Sequence, residues 1–241
     1  MEYSVKNDTK ISKITLGTAQ LGQSYGINNT SGIPDGKEAE NILNTALSLG
    51  INTFDTSNDY GDSEKIIGEF FGRRKESPVI VTKTGAEGSK AALYDMLAEN
   101  AEKSLKNLNV SSLPCLMLHH EKFVTEYGRA LIDAINKLKS NGIIRKTGIS
   151  FSDKADMKKI LSDGSFDFVQ LPMNIFDCEE ILNGTLSKLN KSGMTVFVRS
   201  VYLQGLFFKD PDTLPKKLTE EIFEISQKIP SVVKHPWEWN N

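Results

Sequence analysis

Residues 51–61 read INTFDTSNDYG. Ile51, Thr53 and Phe54 belong to a short β-prone run that stops on a carboxylate, Asp55, and Tyr60 follows on the turn before Gly61. The same arrangement recurs down the chain. Further apolar runs end on Lys83, His119, Ser150, Gln170 and Arg199, so the polar ends stand 28, 36, 31, 20 and 29 positions apart. A strand-helix-strand unit takes about 30 residues, and the intervening segments carry a helical hydrophobic period. This pattern predicts an α/β fold, a (β/α)8 TIM-type barrel, with its site at the mouth where the strands end.

Working outward, the first strand is expected over ISKITLG (11–17), ending near Gly17-Thr18-Ala19-Gln20. Pro34-Asp35-Gly36 is a turn signal, after which Ala39, Ile42, Leu43, Ala46 and Leu47 form one helical stripe ended by Gly50. A helix from about Ser63 to Phe71 precedes Gly72, the third strand spans Pro78 to Thr82, and Leu93, Met96, Leu97, Ala101, Leu105 and Leu108 mark a long helix. The remaining strands are expected at Leu113–Leu118, Ile143–Ile149, Phe166–Leu171 and Thr195–Ser200, with Leu131, Ala134, Ile135 and Leu138 striping a helix up to Gly142. Strand parity places Ile51 and Thr53 beneath Asp55, Val79 and Val81 beneath Lys83, and Cys115 and Met117 beneath His119. Those are mostly apolar residues, as a filled barrel interior requires.

Seven strands are legible. After a helical stretch around Leu218 to Ile229 the sequence finishes PSVVKHPWEWNN, 12 residues with two prolines, too few for both a strand and a closing helix. Ser231 to Lys234 is the one candidate for a stub of an eighth strand. The expectation is a single domain over 1–241 with a divergent tail at about 230–241, and an incomplete barrel whose open edge favours self-association.

The composition limits the functional classes. With 241 residues, 39% hydrophobic and 25% charged, and a net charge of −2, the chain has no basic stripe for nucleic acid. No run is long enough to span a bilayer and the first ten residues are polar, so a cytoplasmic location is expected. Cys115 and Cys178 do not make a disulfide framework. His119-His120-Glu121 suggests a metal, but adjacent strand residues point to opposite faces and no third ligand is suitably spaced, so no metal site is expected.

Asp55, Tyr60, Lys83 and His119 form a chemically coherent set. A Lys ammonium about 4 Å from a phenol favours the phenolate by up to ~4 kcal/mol at an effective dielectric of ~20. That would lower the Tyr60 pKa by up to about three units before desolvation takes some back, making a general acid near neutral pH. Asp55 would hold Lys83, and His119 would orient a carbonyl oxygen.

At these residues the chain resembles the aldo-keto reductases. The resemblance rests on LGTAQLG, FDTSNDYGDSE, VTKT, LMLHH, RKTGISF, FVQLPMN and RSVYLQG, in that order, from about Lys13 to Ile229. It implies a (β/α)8 barrel that uses NADPH, or NADH, to reduce a small aldehyde or ketone. By position, Tyr60 would donate the proton, Lys83 tune it, Asp55 pair with Lys83 and His119 orient the carbonyl. Thr18, Ser150, Gln170, Arg199 and Ser200 fall at cofactor-binding positions. Phe151 stands where many members have Asn, and Arg199 where many stack an aromatic ring on the nicotinamide. The residues that grip the adenosine 2′-phosphate in the family have no recognisable counterpart. Two other readings remain at this point: a Schiff-base lyase or aldolase using Lys83, and a barrel that has lost its cofactor site.

Overall fold

The computed structural model describes residues 1–6, 9–152, 154, 157–174, 176–214 and 217. The helical stretch expected around Leu218 to Ile229 and the candidate strand at Ser231 to Lys234 lie outside the described residues.

The chain begins with an antiparallel pair, β1 (Tyr3–Lys6) and β2 (Thr9–Ser12). Seven strands then pair in parallel in strict chain order: β3 (Leu16–Gly17), β4 (Thr53–Asp55), β5 (Val79–Thr84), β6 (Leu113–Leu118), β7 (Ile144–Ser150), β8 (Phe168–Pro172) and β9 (Thr195–Arg199). Helices return the chain between them: α1 (Ala19–Gly22), α2 (Gly36–Ser48), α3 (Ser63–Phe71), α4 (Leu93–Leu108), α5 (Lys122–Tyr127), α6 (Arg129–Ser140), α7 (Met157–Ile160), α8 (Glu179–Leu182) and α9 (Thr185–Lys191). Among the described residues β3 and β9 are the sheet edges and do not pair with each other. The architecture is an incomplete β/α barrel.

Local signals account for the elements that read cleanly. Asp35 caps α2, its carboxylate accepting from the Glu38 amide at 2.8 Å. Apolar residues of α2, α3, α4 and α6 pack on the outer face of the sheet around Phe54, Ile80, Leu116 and Ile149. The inner face holds a separate cluster of Ile11, Val81, Cys115, Met117, Phe168 and Phe197, with Val79 against it. The parity reading placed four of these residues inside the barrel, and their mutual contact requires the sheet to curl; Ile51, which it also placed inside, packs in the outer cluster, because it precedes β4 and strand alternation does not govern it.

The expected first strand divides in two. Ile11 and Ser12 belong to the antiparallel pair, and only Leu16 and Gly17 join the barrel sheet. Hydrogen bonds explain the break: the Ser12 amide donates to Asn52 Oδ1 at 2.8 Å, and its hydroxyl donates to the Ile14 carbonyl at 2.7 Å. The hairpin is thereby tied to the start of β4, opposite the strand exits, and Ile11 plugs that end of the interior.

Buried Glu64 joins three elements. Its oxygens accept from Thr82 Oγ1 on β5 at 2.6 Å and from Asn107 Nδ2 on α4 at 3.2 Å. Thr82 is the residue before Lys83, so the outward-facing side of the strand is locked where its inward-facing side carries the lysine.

Candidate active site

Lys83 lies within β5 and is 1% exposed, and its ammonium has two acceptors: Asp55 Oδ1 from β4 and the Thr56 carbonyl at 3.1 Å. Asp55, 17% exposed, closes β4 at the mouth. Tyr60 stands on the loop beyond, with the Lys83 ammonium 5.3 Å from its ring centroid. The His119 ring meets the Tyr60 ring edge-on at 5.8 Å. The structure therefore brings all four sequence-selected residues to one rim.

The loop that carries Tyr60 is fixed by its backbone. The Thr56 amide donates to the Val81 carbonyl at 2.9 Å, Asn58 to the Lys83 carbonyl at 3.2 Å, and Tyr60 to the Ser57 carbonyl at 3.1 Å. His119 is anchored to the neighbouring strand, its amide donating to the Thr84 carbonyl at 2.9 Å. Gly22 and Gly61 let α1 press against this loop. A Cβ on Gly22 would stand 1.8 Å from the Tyr60 carbonyl oxygen, and one on Gly61, whose φ is +53°, 2.1 Å from the Gly22 carbonyl. Gly22→Ala is expected to push Tyr60 off Lys83, cutting kcat at least about tenfold and costing about 1–3 kcal/mol of stability. A steady-state assay with a parallel urea melt checks both values.

Electrostatics correct one expectation. The Tyr60 phenol is not lowered: burial pushes its pKa above the usual tyrosine value, and the Lys83 charge opposes that shift without overcoming it. The phenol thus keeps its proton through neutrality. His119 is pushed down from the usual histidine value by burial and by Lys83, while a contact with Asp59 pulls it up. At neutral pH its ring is uncharged.

The two histidines also differ from expectation. They follow β6, off the regular strand, and their rings stack nearly parallel, 5.0 Å apart with 12° between planes. Alternation across a strand therefore does not apply to them. Among the described residues no group of three or more metal-ligating side chains comes together.

Among the described residues a cleft of about 1140 Å³ runs between β3 and β9, with Asp55, Tyr60, Thr18, Gln170, Arg199 and Ser200 on its walls. Ser150 and Gln170 are register partners on β7 and β8, both buried, and Ser150 Oγ donates to Gln170 Oε1 at 3.1 Å. Arg199 donates to the Phe151 carbonyl at 3.0 Å and to Ser200 Oγ at 3.2 Å, clasping the exits of β7 and β9. Phe151 itself packs into the outer core, so it faces the site only through its backbone. The Thr18 hydroxyl is committed elsewhere: it donates to the Asp55 carbonyl at 2.9 Å and accepts from Ser63 Oγ at 2.8 Å.

Sequence reading missed two residues here. Tyr25 lines the cleft close enough to Tyr60 to act on its charge, and Asp59 Oδ2 lies 3.3 Å from His119 Nδ1. The loop bearing Tyr25 is docked across the mouth, the Ile27 amide donating to the Gln204 carbonyl at 2.9 Å. Only the position of Asp59 beside Tyr60 hinted at its place in the site.

Comparison with known proteins agrees with this fold. A sequence model described as the aldo/keto reductase family matches residues 13–235. Oxidoreductase YqkF of Bacillus subtilis (strain 168) is 26% identical over 214 residues, covering 85% of this chain and 65% of that protein. The NADH-specific methylglyoxal reductase of Escherichia coli (strain K12) is 27% identical over 220 residues, covering 83% and 66%. The D-arabinose 1-dehydrogenase of Saccharomyces cerevisiae (strain ATCC 204508 / S288c) is 33% identical over 149 residues, covering 58% and 43%. This chain thus spans less than two thirds of the length of each of these curated relatives. Among solved structures, the fold matches aldo-keto reductase AKR11C1 from Bacillus halodurans (holo form) with a TM-score of 0.70 at 24% identity, covering 90% of this chain and 71% of that one. It also matches the glycerol dehydrogenase AKR11B4 from Gluconobacter oxydans with a TM-score of 0.67 at 25% identity, covering 87% and 67%. By its match over most of its length, the chain belongs to the aldo/keto reductase family.

Proposed function

We propose that this chain reduces a small aldehyde or ketone to an alcohol with a nicotinamide cofactor, NADPH or NADH. The observation that carries the reading is the Lys83 ammonium held by Asp55 and the Thr56 carbonyl beside the Tyr60 ring, with His119 across from it. When bound, the reduced cofactor supplies a hydride, two electrons and one hydrogen, to the carbonyl carbon. Tyr60 supplies the proton to the carbonyl oxygen, and the negative charge left on the phenol is stabilised by Lys83. Lys83 therefore acts on the transition state without ionising the phenol beforehand, which is consistent with the raised Tyr60 pKa.

The donors and acceptors fit a carboxamide-bearing cofactor. Gln170 accepts from Ser150 and lies on the cleft wall, so its amide nitrogen is available as a donor to a carbonyl there, as the Arg199 guanidinium is beside it. Ser150, Gln170, Arg199 and Ser200 are the residues we assign to hold the nicotinamide end; Thr18 lines the cleft, but its amide donates to the Asp55 carbonyl and its carbonyl accepts from the Leu21 amide and Ser63 Oγ, so its part is to brace the wall. Two relatives reduce or oxidise small oxygenated carbon compounds by name, a methylglyoxal reductase and an arabinose dehydrogenase, which supports a small polar carbonyl as substrate.

The Schiff-base reading is disfavoured by the same geometry. A nucleophilic amine needs its lone pair and access to substrate, whereas the Lys83 ammonium is buried against two acceptors. The test has two arms. NADPH and NADH are titrated by nicotinamide fluorescence, and cofactor oxidation is followed with glycolaldehyde and methylglyoxal. Saturable binding with substrate-dependent oxidation is expected. Borohydride trapping of substrate on Lys83, or no saturable binding of either cofactor, would overturn the assignment.

A further inference from the structure

Three buried hydroxyls stand behind the loop that carries Tyr60: Thr18 at the exit of β3, Thr56 at the exit of β4 and Ser63 at the start of α3, each no more than 1% exposed. Thr56 Oγ1 lies 3.0 Å from Ser63 Oγ, and Ser63 Oγ donates to the Thr18 carbonyl at 2.9 Å and to Thr18 Oγ1 at 2.8 Å. Thr18 Oγ1 in turn donates to the Asp55 carbonyl at 2.9 Å. The donors leave one direction open. A carbonyl only accepts and a hydroxyl has one proton, so Thr18 spends its proton on Asp55, and Ser63 shares its own between the two Thr18 oxygens. Ser63 Oγ can then only accept from Thr56. The chain of bonds runs from Thr56 to Ser63 to Thr18 to the Asp55 carbonyl.

Ser63 is the first residue of α3, yet its hydroxyl reaches back to the two strand exits. Thr56 and Ser63 are the ends of the segment 56–63, and Tyr60 sits within it. The 3.0 Å bond between their side chains closes that segment at its base, and the Ser63 amide donates to the Tyr60 carbonyl at 3.0 Å. The backbone pinned in this way is also the backbone that holds the cation, since the Lys83 ammonium bonds the Asp55 carboxylate and the Thr56 carbonyl. Helix α1 presses on the same point: a Cβ on Gly22 would stand 2.5 Å from the Ser63 nitrogen. The hydrogen bonds of Ser63 Oγ go to Thr18 and Thr56, so it acts on the phenol through the loop.

We infer that Ser63 is a positioning residue: its hydroxyl closes the Tyr60 loop and holds the phenol against Lys83, so it governs proton transfer and leaves cofactor binding alone. This rests on the reductase reading for the effect on turnover, though not for the place of the phenol. Removing the hydroxyl opens the loop at its base. The cleft wall survives, because the Thr18 amide and hydroxyl keep the Asp55 carbonyl. The groups facing Tyr60 are Lys83, Asp55, Tyr25 and His119. Burial is the largest influence on the phenol and raises its pKa, joined by Asp55 and Tyr25 and opposed by Lys83. A phenol that swings outward sheds that burial, so its pKa falls toward the ordinary tyrosine value.

Ser63→Ala in the full chain is expected to cut kcat with methylglyoxal about tenfold, while the Kd for NADPH and NADH, read by nicotinamide fluorescence, stays within about twofold. Carbon-13 NMR of labelled tyrosine follows the phenol without turnover; the chain has six tyrosines, and Tyr60→Phe assigns the signal. The Tyr60 titration should move down in Ser63→Ala. Thr56→Val breaks the same bond from the other end and keeps the Thr56 carbonyl on Lys83, so it should lower kcat and the titration alike. Thr56→Ser, which retains the hydroxyl, should restore most of both. The double variant Ser63→Ala with Thr56→Val should be no slower than either single one, since both remove one bond. A Tyr60 titration unmoved in both single variants, whatever their urea midpoints, overturns the inference, and so does cofactor affinity that falls in step with kcat. If the wild-type chain oxidises neither cofactor, the reductase reading falls, and the NMR titration alone decides the role of Ser63.

Discussion

Tyr60→Phe is expected to lower kcat by about a hundredfold to ten-thousandfold while leaving the Kd for NADPH and NADH within about twofold, the range for removing a positioned general acid. The argument is local. The substitution deletes one oxygen, keeps the ring against His119 and Lys83, and touches none of the side chains assigned to the cofactor. Fluorescence titration and single-turnover oxidation separate binding from chemistry. Equal loss of both would mean that the phenol serves the cofactor and not the carbonyl.

The pH profile follows from the direction of the Tyr60 shift. A buried phenol whose pKa is raised stays protonated, and so competent as an acid, until above about pH 10. Carbonyl reduction by the wild-type chain should therefore hold nearly flat from pH 7 to about 9. A rate that instead falls through pH 7 to 8 would show a phenol lowered by Lys83. Burial and charge act in opposite directions on this one group, and spacing in the sequence carries the sign of neither.

What was legible in the sequence is what depends on neighbours along the chain. α3 was read with its observed ends because its helical stretch stops at Gly72, and β6 because Leu113–Leu118 is a continuous apolar run. The rim residues were legible for a related reason. A polar group that ends an apolar strand has to emerge where the strand does, and parallel strands all emerge on one side. The N-terminal hairpin is hidden in ISKITLG because the slip in alternation at Ser12-Lys13 does not say which sheet takes each half; hydrogen bonds to Asn52, 40 positions away, decide that. Asp59 to His119 and Arg199 to Phe151 are equally long-range, at 60 and 48 positions. Loops that cross the barrel mouth have no periodicity to betray where they land.

Lys83→Met should have the other large effect, on rate and stability together. The Lys83 ammonium stands 5.3 Å from the Tyr60 ring centroid, and a unit charge about 5 Å from a charge developing on that ring is worth about 3 kcal/mol at an effective dielectric of ~20, so kcat should fall by about a hundredfold or more. Without Lys83 the opposing pull on Tyr60 is gone, and the alkaline limb of the pH profile should move further up. Stability should suffer as well, because the substitution faces the Asp55 carboxylate with a thioether and strips the Thr56 carbonyl of its donor. Breaking a buried pair by removing one partner costs on the order of 3 kcal/mol, toward the low end here because Asp55 keeps some contact with water. Adding Asp55→Asn removes the stranded charge. The double variant should therefore regain part of the urea midpoint and none of the turnover. Recovery of turnover in that variant would make Lys83 a structural counter-ion to Asp55, whereas recovery of stability alone separates its two roles: as a buried cation it holds the strand exits together, and as a neighbour of Tyr60 it stabilises the charge that proton transfer leaves behind.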